Sequence, residues 1–140
     1  MNNSMKVEFP ANSDNERFAR NVAAAFILEL DPTLDELSEI KTAVSEAVTN
    51  AIIHGYNEES GTVIMEGYIK DNEIEFVISD SGNGIEDIDK AREPLYTGKP
   101  EMERSGMGFT IMETFMDEVI VKSKVGEGTV IRMSKRIEQV

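Results

Sequence analysis

At Thr62 the hydrophobic period of this sequence changes, and that change constrains the fold more than any other feature. Upstream, Leu37, Ile40, Val44, Ala47 and Ala51 recur every three or four residues, the stripe of one helix face. Downstream, Val63, Met65, Gly67 and Ile69 alternate with their neighbours, Asp71-Asn72 make a turn, and Ile74, Phe76 and Ile78 alternate again before DSGNG, residues 80–84. A helical face followed by a hairpin face calls for two layers that bury each other.

The remaining segments extend the pattern. Lys6 to Phe9 alternates briefly and reads as an edge strand. Ser13-Asp14-Asn15-Glu16 and Thr33-Leu34-Asp35-Glu36 both have the form of a capping box, in which a hydroxyl and a carboxylate satisfy first-turn N–H groups reciprocally. The first box opens a helix with Phe18, Val22, Ala25 and Phe26 on its apolar face, ending near Asp31-Pro32. The second opens the Leu37 stripe, with Gly55 as its stop. Residues 85–105 mix charges, two prolines and a glycine without period, which predicts a short helix and then a mobile segment. Gly106 to Met116 is helical in pattern, and EVIVKSKVGEGTVIRMSK is a second hairpin with Gly126 and Gly128 in or beside its turn. The order predicts an α/β (α+β) two-layer sandwich: helices on one face of a mixed, mostly antiparallel sheet whose other face is partly open. At 140 residues the chain suits a single domain, 1–140.

Charge and composition narrow the function. Lys+Arg 14 against Asp+Glu 27 gives −13, a field that repels phosphate backbones and excludes direct nucleic-acid binding in favour of a basic protein surface. No apolar run approaches the roughly 18 residues needed to span a bilayer, and MNNSMKVEFP lacks the layout of a signal peptide, so no membrane role and a cytoplasmic location are expected. With no cysteine and one histidine, His54, there is no disulfide framework, no thiol nucleophile and no histidine-based metal site.

Four short stretches carry candidate chemistry. In SEAVTNAIIHGY, residues 45–56, Glu46 and Asn50 sit one turn apart on one face among core positions. Such a pair is ordinarily a solvated face, and a ligand site is the alternative. DSGNG ends a strand on Asp80 and follows it with Gly82 and Gly84, which is either a plain turn or a carboxylate placed to accept from an exocyclic amine such as adenine's. GMGF, residues 106–109, puts Gly106 and Gly108 at a helix start, where free N–H groups attract anions. GEGT, residues 126–129, is a hairpin turn whose Thr129 could also face a ligand. Neither GxxxxGK[ST] nor GxGxxG occurs, so a P-loop or Rossmann site cannot be written on this chain.

In order and placement, EAVTNAIIHGY, DSGNG, RSGMGF and GEGT resemble the N, G1 and G2 boxes and the terminal threonine strand of the GHKL ATPase and kinase family, which includes gyrase B, MutL and the sensor histidine kinases. That resemblance implies the Bergerat fold, with ATP or ADP between helices and sheet and a lid over about 85–105. It implies that Asn50 ligates Mg²⁺ and that Glu46 accepts the nucleophile's proton, in keeping with phosphoryl transfer, which needs a metal clamp and a positioned nucleophile. It assigns Asp80 and Thr129 to adenine, Gly82 and Gly84 to making room at the base, and Ser105, Gly106 and Gly108 to the phosphates. Lys99 and Arg104, cations in the lid, are candidates for the γ-phosphate.

Among branches of the family, clamp ATPases place a transducer domain after the ATP domain, where this sequence stops at Val140, and sensor kinases need a phosphoacceptor histidine on a helical hairpin, which the first two helices lack. The chain is similar instead to the free-standing serine kinases of sporulation that bind a sigma factor. Resemblance to that branch implies a homodimer that sequesters a sigma factor of the sigma F type and phosphorylates a serine of an anti-anti-sigma factor. Glu16 and Arg20, at i and i+4, read as local helix support, with Arg20 a possible partner contact.

Overall fold

A computed structural model describes residues 2–55, 61–84 and 108–138. Five strands form one sheet in the order β1-β2-β3-β5-β4: β1 (Asn2–Pro10), β2 (Thr62–Lys70), β3 (Glu73–Asp80), β4 (Glu118–Lys124) and β5 (Gly128–Arg136). Every pairing among them is antiparallel. The edge strand expected at 6–9 is longer, because the polar Asn2–Met5 run completes the ladder to Lys70, and the Asn2 carboxamide oxygen accepts from the Asp71 N–H at 3.3 Å. Asp71 takes a φ of 55°, a left-handed conformation that a two-residue hairpin turn favours and Asp tolerates.

Three helices cover one face: α1 (Asn15–Ile27), α2 (Leu34–Thr49) and α3 (Gly108–Phe115). Ile40, Val44, Ala47 and Val48 of α2 are buried in one core with Val63, Met65, Ile74, Phe76, Ile78, Ile131 and Met133 of the strands. The opposite face carries the exposed Tyr68 and Ile120 and the Arg132–Glu75 ion pair at 2.8 Å. The Lys135 ammonium donates to the Phe115 carbonyl, the last of α3, at 3.0 Å and lies 3.6 Å from Glu39, so one cation on β5 anchors both α3 and α2.

The two capping boxes part company. At Thr33 the hydroxyl accepts from the Glu36 N–H at 3.0 Å, and the Thr33 N–H donates to Glu36 Oε1 at 2.9 Å. Glu36 Oε2 also accepts from the Glu138 N–H at 2.9 Å, tying the last described residues to the start of α2. Burial pushes the Glu36 carboxyl up, but the Thr33 and Glu138 N–H groups, the Thr33 hydroxyl and Lys135 outweigh it and hold the group below the usual range. The box expected at Ser13 does not form: α1 starts one residue later, with Asp14 as its N-cap and no side-chain cap bond. Glu16 is buried at 7 % exposure, accepts a hydrogen bond from the Ser45 hydroxyl of α2 and lies 3.6 Å from Arg20.

The apolar face of α1 agrees with the expected Phe18, Val22, Ala25 and Phe26 only in part. Val22 and Phe26 are partly buried against the core, Ala19, Ala23 and Ile27 are its buried apolar residues, and Phe18 and Ala25 are exposed. Phe18 and Phe26 meet Phe9 and Phe76 edge-on, with centroids 6.0 and 6.2 Å apart. Gly67 makes room for this, since a Cβ there would lie 2.9 Å from Phe26 Cε2.

Candidate functional site

The strand registers assemble a polar row. Asp80, the last residue of β3, lies opposite Thr129 of β5, and Thr129 lies opposite Ser123 of β4. Alternation puts all three on the helix-covered side, in line with Ile78, Ile131 and Val121. Asp80 and Thr129 are buried, at 8 % and 3 % exposure. Asp80 Oδ1 accepts from the Gly82 N–H at 2.9 Å. Burial pushes the Asp80 carboxyl above the ordinary carboxylate range, and the Gly82 and Thr129 N–H groups draw it back only in part. Ser123 Oγ donates to the Gly128 carbonyl at 3.1 Å and lies 2.7 Å from Thr129 Oγ1.

Two glycines hold this row together. Gly84 has a φ of 78°, and a Cβ on it would lie 2.3 Å from the Lys124 carbonyl oxygen; Gly128 has a φ of 110°, and a Cβ on it would lie 2.1 Å from the Asp80 carbonyl oxygen. The Gly126 N–H donates to the Asn83 carbonyl at 2.8 Å. DSGNG and GEGT, separate in sequence, are therefore one docked unit. The space left by the missing side chain of Gly84 is taken up by the chain itself, at Lys124, while Gly82 serves Asp80 through its N–H.

Glu46 lies in the last turn of α2, and Asn50 opens a π-helical segment, Asn50–Gly55, where Gly55 was expected only to stop the helix. Ala51, Ile52 and Ile53 are successive and all buried. The widened turn packs against β3 and β5, the strands that carry Asp80 and Thr129. Such turns are rare and recur at functional sites. The Asn50 N–H is shared between the Ala47 and Glu46 carbonyls, which leaves its carboxamide oxygen as a separate acceptor. Gly108 is the first residue of α3, as the helix-start reading requires. Lys99, Arg104, Ser105 and Gly106, with the expected lid, lie outside the described residues.

No group of three or more His, Cys, Asp or Glu side chains able to hold a metal occurs among the described residues. A single protein oxygen, the Asn50 carboxamide, fits Mg²⁺ better than a cation needing a full protein cage, because Mg²⁺ retains waters and takes phosphate oxygens as ligands. Sequence reasoning passed over Ser123, whose signal was a serine facing a threonine across the second hairpin, and the Ser45–Glu16 bond, which has no local signal.

Residues 9–135 match the family model of the histidine kinase-like ATPase domain. The chain belongs to that family. Its members bind nucleotide, and its kinase-type domain is the two-layer GHKL sandwich seen here. Two proteins named anti-sigma F factor, from Geobacillus kaustophilus and Clostridium perfringens, are each 59% identical to this chain over 138 residues, covering 98% of it and 94% and 99% of themselves. Among solved structures, the RsbU and RsbW domains of a Mycobacterium tuberculosis protein align with 99% of this chain at a TM-score of 0.72 and 17% identity, although the chain spans 33% of that one. The catalytic domain of the histidine kinase ThkA aligns at 0.57 and 16% over 95% of this chain and 97% of its own. At those identities the structures share the fold. No helix among the described residues is long and apolar enough to cross a membrane.

Proposed function

We propose that this chain is an anti-sigma factor and serine kinase: it binds a sigma factor of the sigma F type and, with Mg-ATP, phosphorylates a serine of an anti-anti-sigma factor. The observation that carries this reading is identity of 59% over 138 residues to proteins named anti-sigma F factor. The geometry supports it. The buried Asp80 carboxylate accepts from the adenine amine, with Thr129 beside it. Gly108, the first residue of α3, binds the phosphates, Ser105 and Gly106 share that role, and Lys99 or Arg104 serves the γ-phosphate. Asn50 would hold Mg²⁺, which when bound supplies positive charge to the phosphates. Glu46 accepts the proton of the attacking serine hydroxyl, which explains a carboxylate one turn before Asn50. The protein works as a homodimer in the cytoplasm, and its net charge of −13 suits a basic partner surface.

Incubation with labelled ATP, the sigma factor and the anti-anti-sigma factor tests this. Acid-stable label on a serine of the anti-anti-sigma factor is expected. Acid-labile label on this chain that His54→Ala abolishes would establish the histidine-kinase alternative instead.

A further inference from the structure

Resting on the adenine reading of Asp80 and Thr129, we propose that Ser123 is a specificity-determining positioning residue: it fixes the direction of the Thr129 hydroxyl so that the base meets acceptors only. The argument is a count of protons. Ser123 Oγ carries one hydrogen, and its contacts include 3.1 Å to the Gly128 carbonyl and 2.7 Å to Thr129 Oγ1. A carbonyl cannot donate, so the Ser123 proton goes to Gly128. The shorter contact must then be donated by Thr129, whose oxygen is left with lone pairs alone.

Asp80 has the same polarity. Its Oδ1 accepts from the Gly82 N–H at 2.9 Å, and an ionised carboxylate has no proton to offer. The row Asp80–Thr129–Ser123, fixed by strand register, therefore presents two successive acceptors at 8 % and 3 % exposure. An exocyclic amine satisfies such a row. A carbonyl in the same place faces lone pairs on both sides with little water to relieve them, and sites of this kind reject the mismatched analogue strongly. Without Ser123, the Thr129 proton is free to turn toward the base and offer a carbonyl one hydrogen bond.

ATP and ITP are the probes, because hypoxanthine carries a carbonyl where adenine has its exocyclic amine, and a hydrogen on the adjacent N1; the ITP-to-ATP ratio across the variants isolates the part that depends on Thr129 and Ser123. Dissociation constants for both are measured on the full chain and on Ser123→Ala, Ser123→Thr, Thr129→Val and the Ser123→Ala/Thr129→Val double variant. Ser123→Ala is expected to narrow the preference for ATP over ITP by roughly three- to tenfold, mainly through tighter ITP binding, as one regained hydrogen bond predicts. Ser123→Thr restores the parent ratio, and in the Thr129→Val background Ser123→Ala has no further effect. A merely structural role would weaken both nucleotides in parallel, and that result overturns the proposal. So does an unchanged ratio in Ser123→Ala when Thr129→Val alters it, which leaves the adenine reading intact. If the parent protein binds ITP as well as ATP, the adenine reading itself fails and the role of Ser123 fails with it.

Discussion

Gly128→Ala, set beside Gly126→Ala, separates backbone strain from the docking of the two glycine motifs. Both residues have positive φ, 110° and 82°. A Cβ at 126 meets nothing within 4 Å, whereas one at 128 lies 2.1 Å from the Asp80 carbonyl oxygen and 2.7 Å from Ser81 Cα, backbone atoms that cannot rotate away. Alanine at 126 thus incurs left-handed strain alone, about 1–2 kcal/mol. Alanine at 128 adds overpacking of about 1–3 kcal/mol to a backbone cost of about 1–3 kcal/mol, roughly 4 kcal/mol together. At roughly 3 °C per kcal/mol for a chain of this size, Gly126→Ala should lower the nucleotide-free Tm by about 4 °C and Gly128→Ala by about 12 °C. Because the displaced atoms belong to Asp80 and Ser81, Gly128→Ala should also weaken ATP, while Gly126→Ala stays near the parent. Scanning calorimetry and nucleotide titration read both effects. Equal losses of Tm would refute the reasoning, for they would mean that DSGNG moves off β5 at no cost.

Asp80→Asn is expected to lose most ATP affinity yet melt higher than the parent without nucleotide. A carboxyl whose folded pKa is raised binds protons more readily folded than unfolded, so its ionised form costs stability above that pKa, and the amide removes the cost. For the same reason ATP affinity of the parent should fall as pH drops through a carboxyl that titrates higher than an ordinary aspartate; a flat profile across the acid range would contradict this. Glu46→Gln should retain Mg-ATP binding while phosphotransfer falls by roughly 10²–10⁴-fold, as for a removed general base, and parent-like turnover would remove Glu46 from that role. Thr33→Ala removes the hydroxyl that accepts from the Glu36 N–H, while the backbone N–H of residue 33 can still donate to Glu36 Oε1, and should cost about 1 kcal/mol, read as a fall of roughly 3 °C in Tm. The Glu36 carboxyl is held low in the fold, so its contribution is present above the unfolded pKa and fades as pH falls through the folded one.

Local and periodic features were legible in the sequence. The period change at Thr62 marked the two layers, the Leu37 stripe named the buried face of α2, and the Thr33 box formed because all of its atoms lie within one turn. Asp80 could be placed at a strand end by alternation alone. What lay beyond reach depended on distant segments. Ser13-Asp14-Asn15-Glu16 has the same form as the Thr33 box, but Ser45, 29 residues away, takes the Glu16 carboxylate into the interface of α1 and α2, so an identical pattern has the opposite outcome. The stripe on α1 shifted in part for a related reason: Phe26 meets the buried Phe76 and Phe18 stays exposed beside Phe9, while Ala19 and Ala23 are fully buried. The Asp80–Thr129–Ser123 row and the two glycines that seat it exist only once β3, β5 and β4 are in register, because hydrogen bonds across strands join residues that sequence spacing leaves unrelated. The sequence by itself determined the elements and the side chains that could do chemistry; tertiary register decided which of them share a proton.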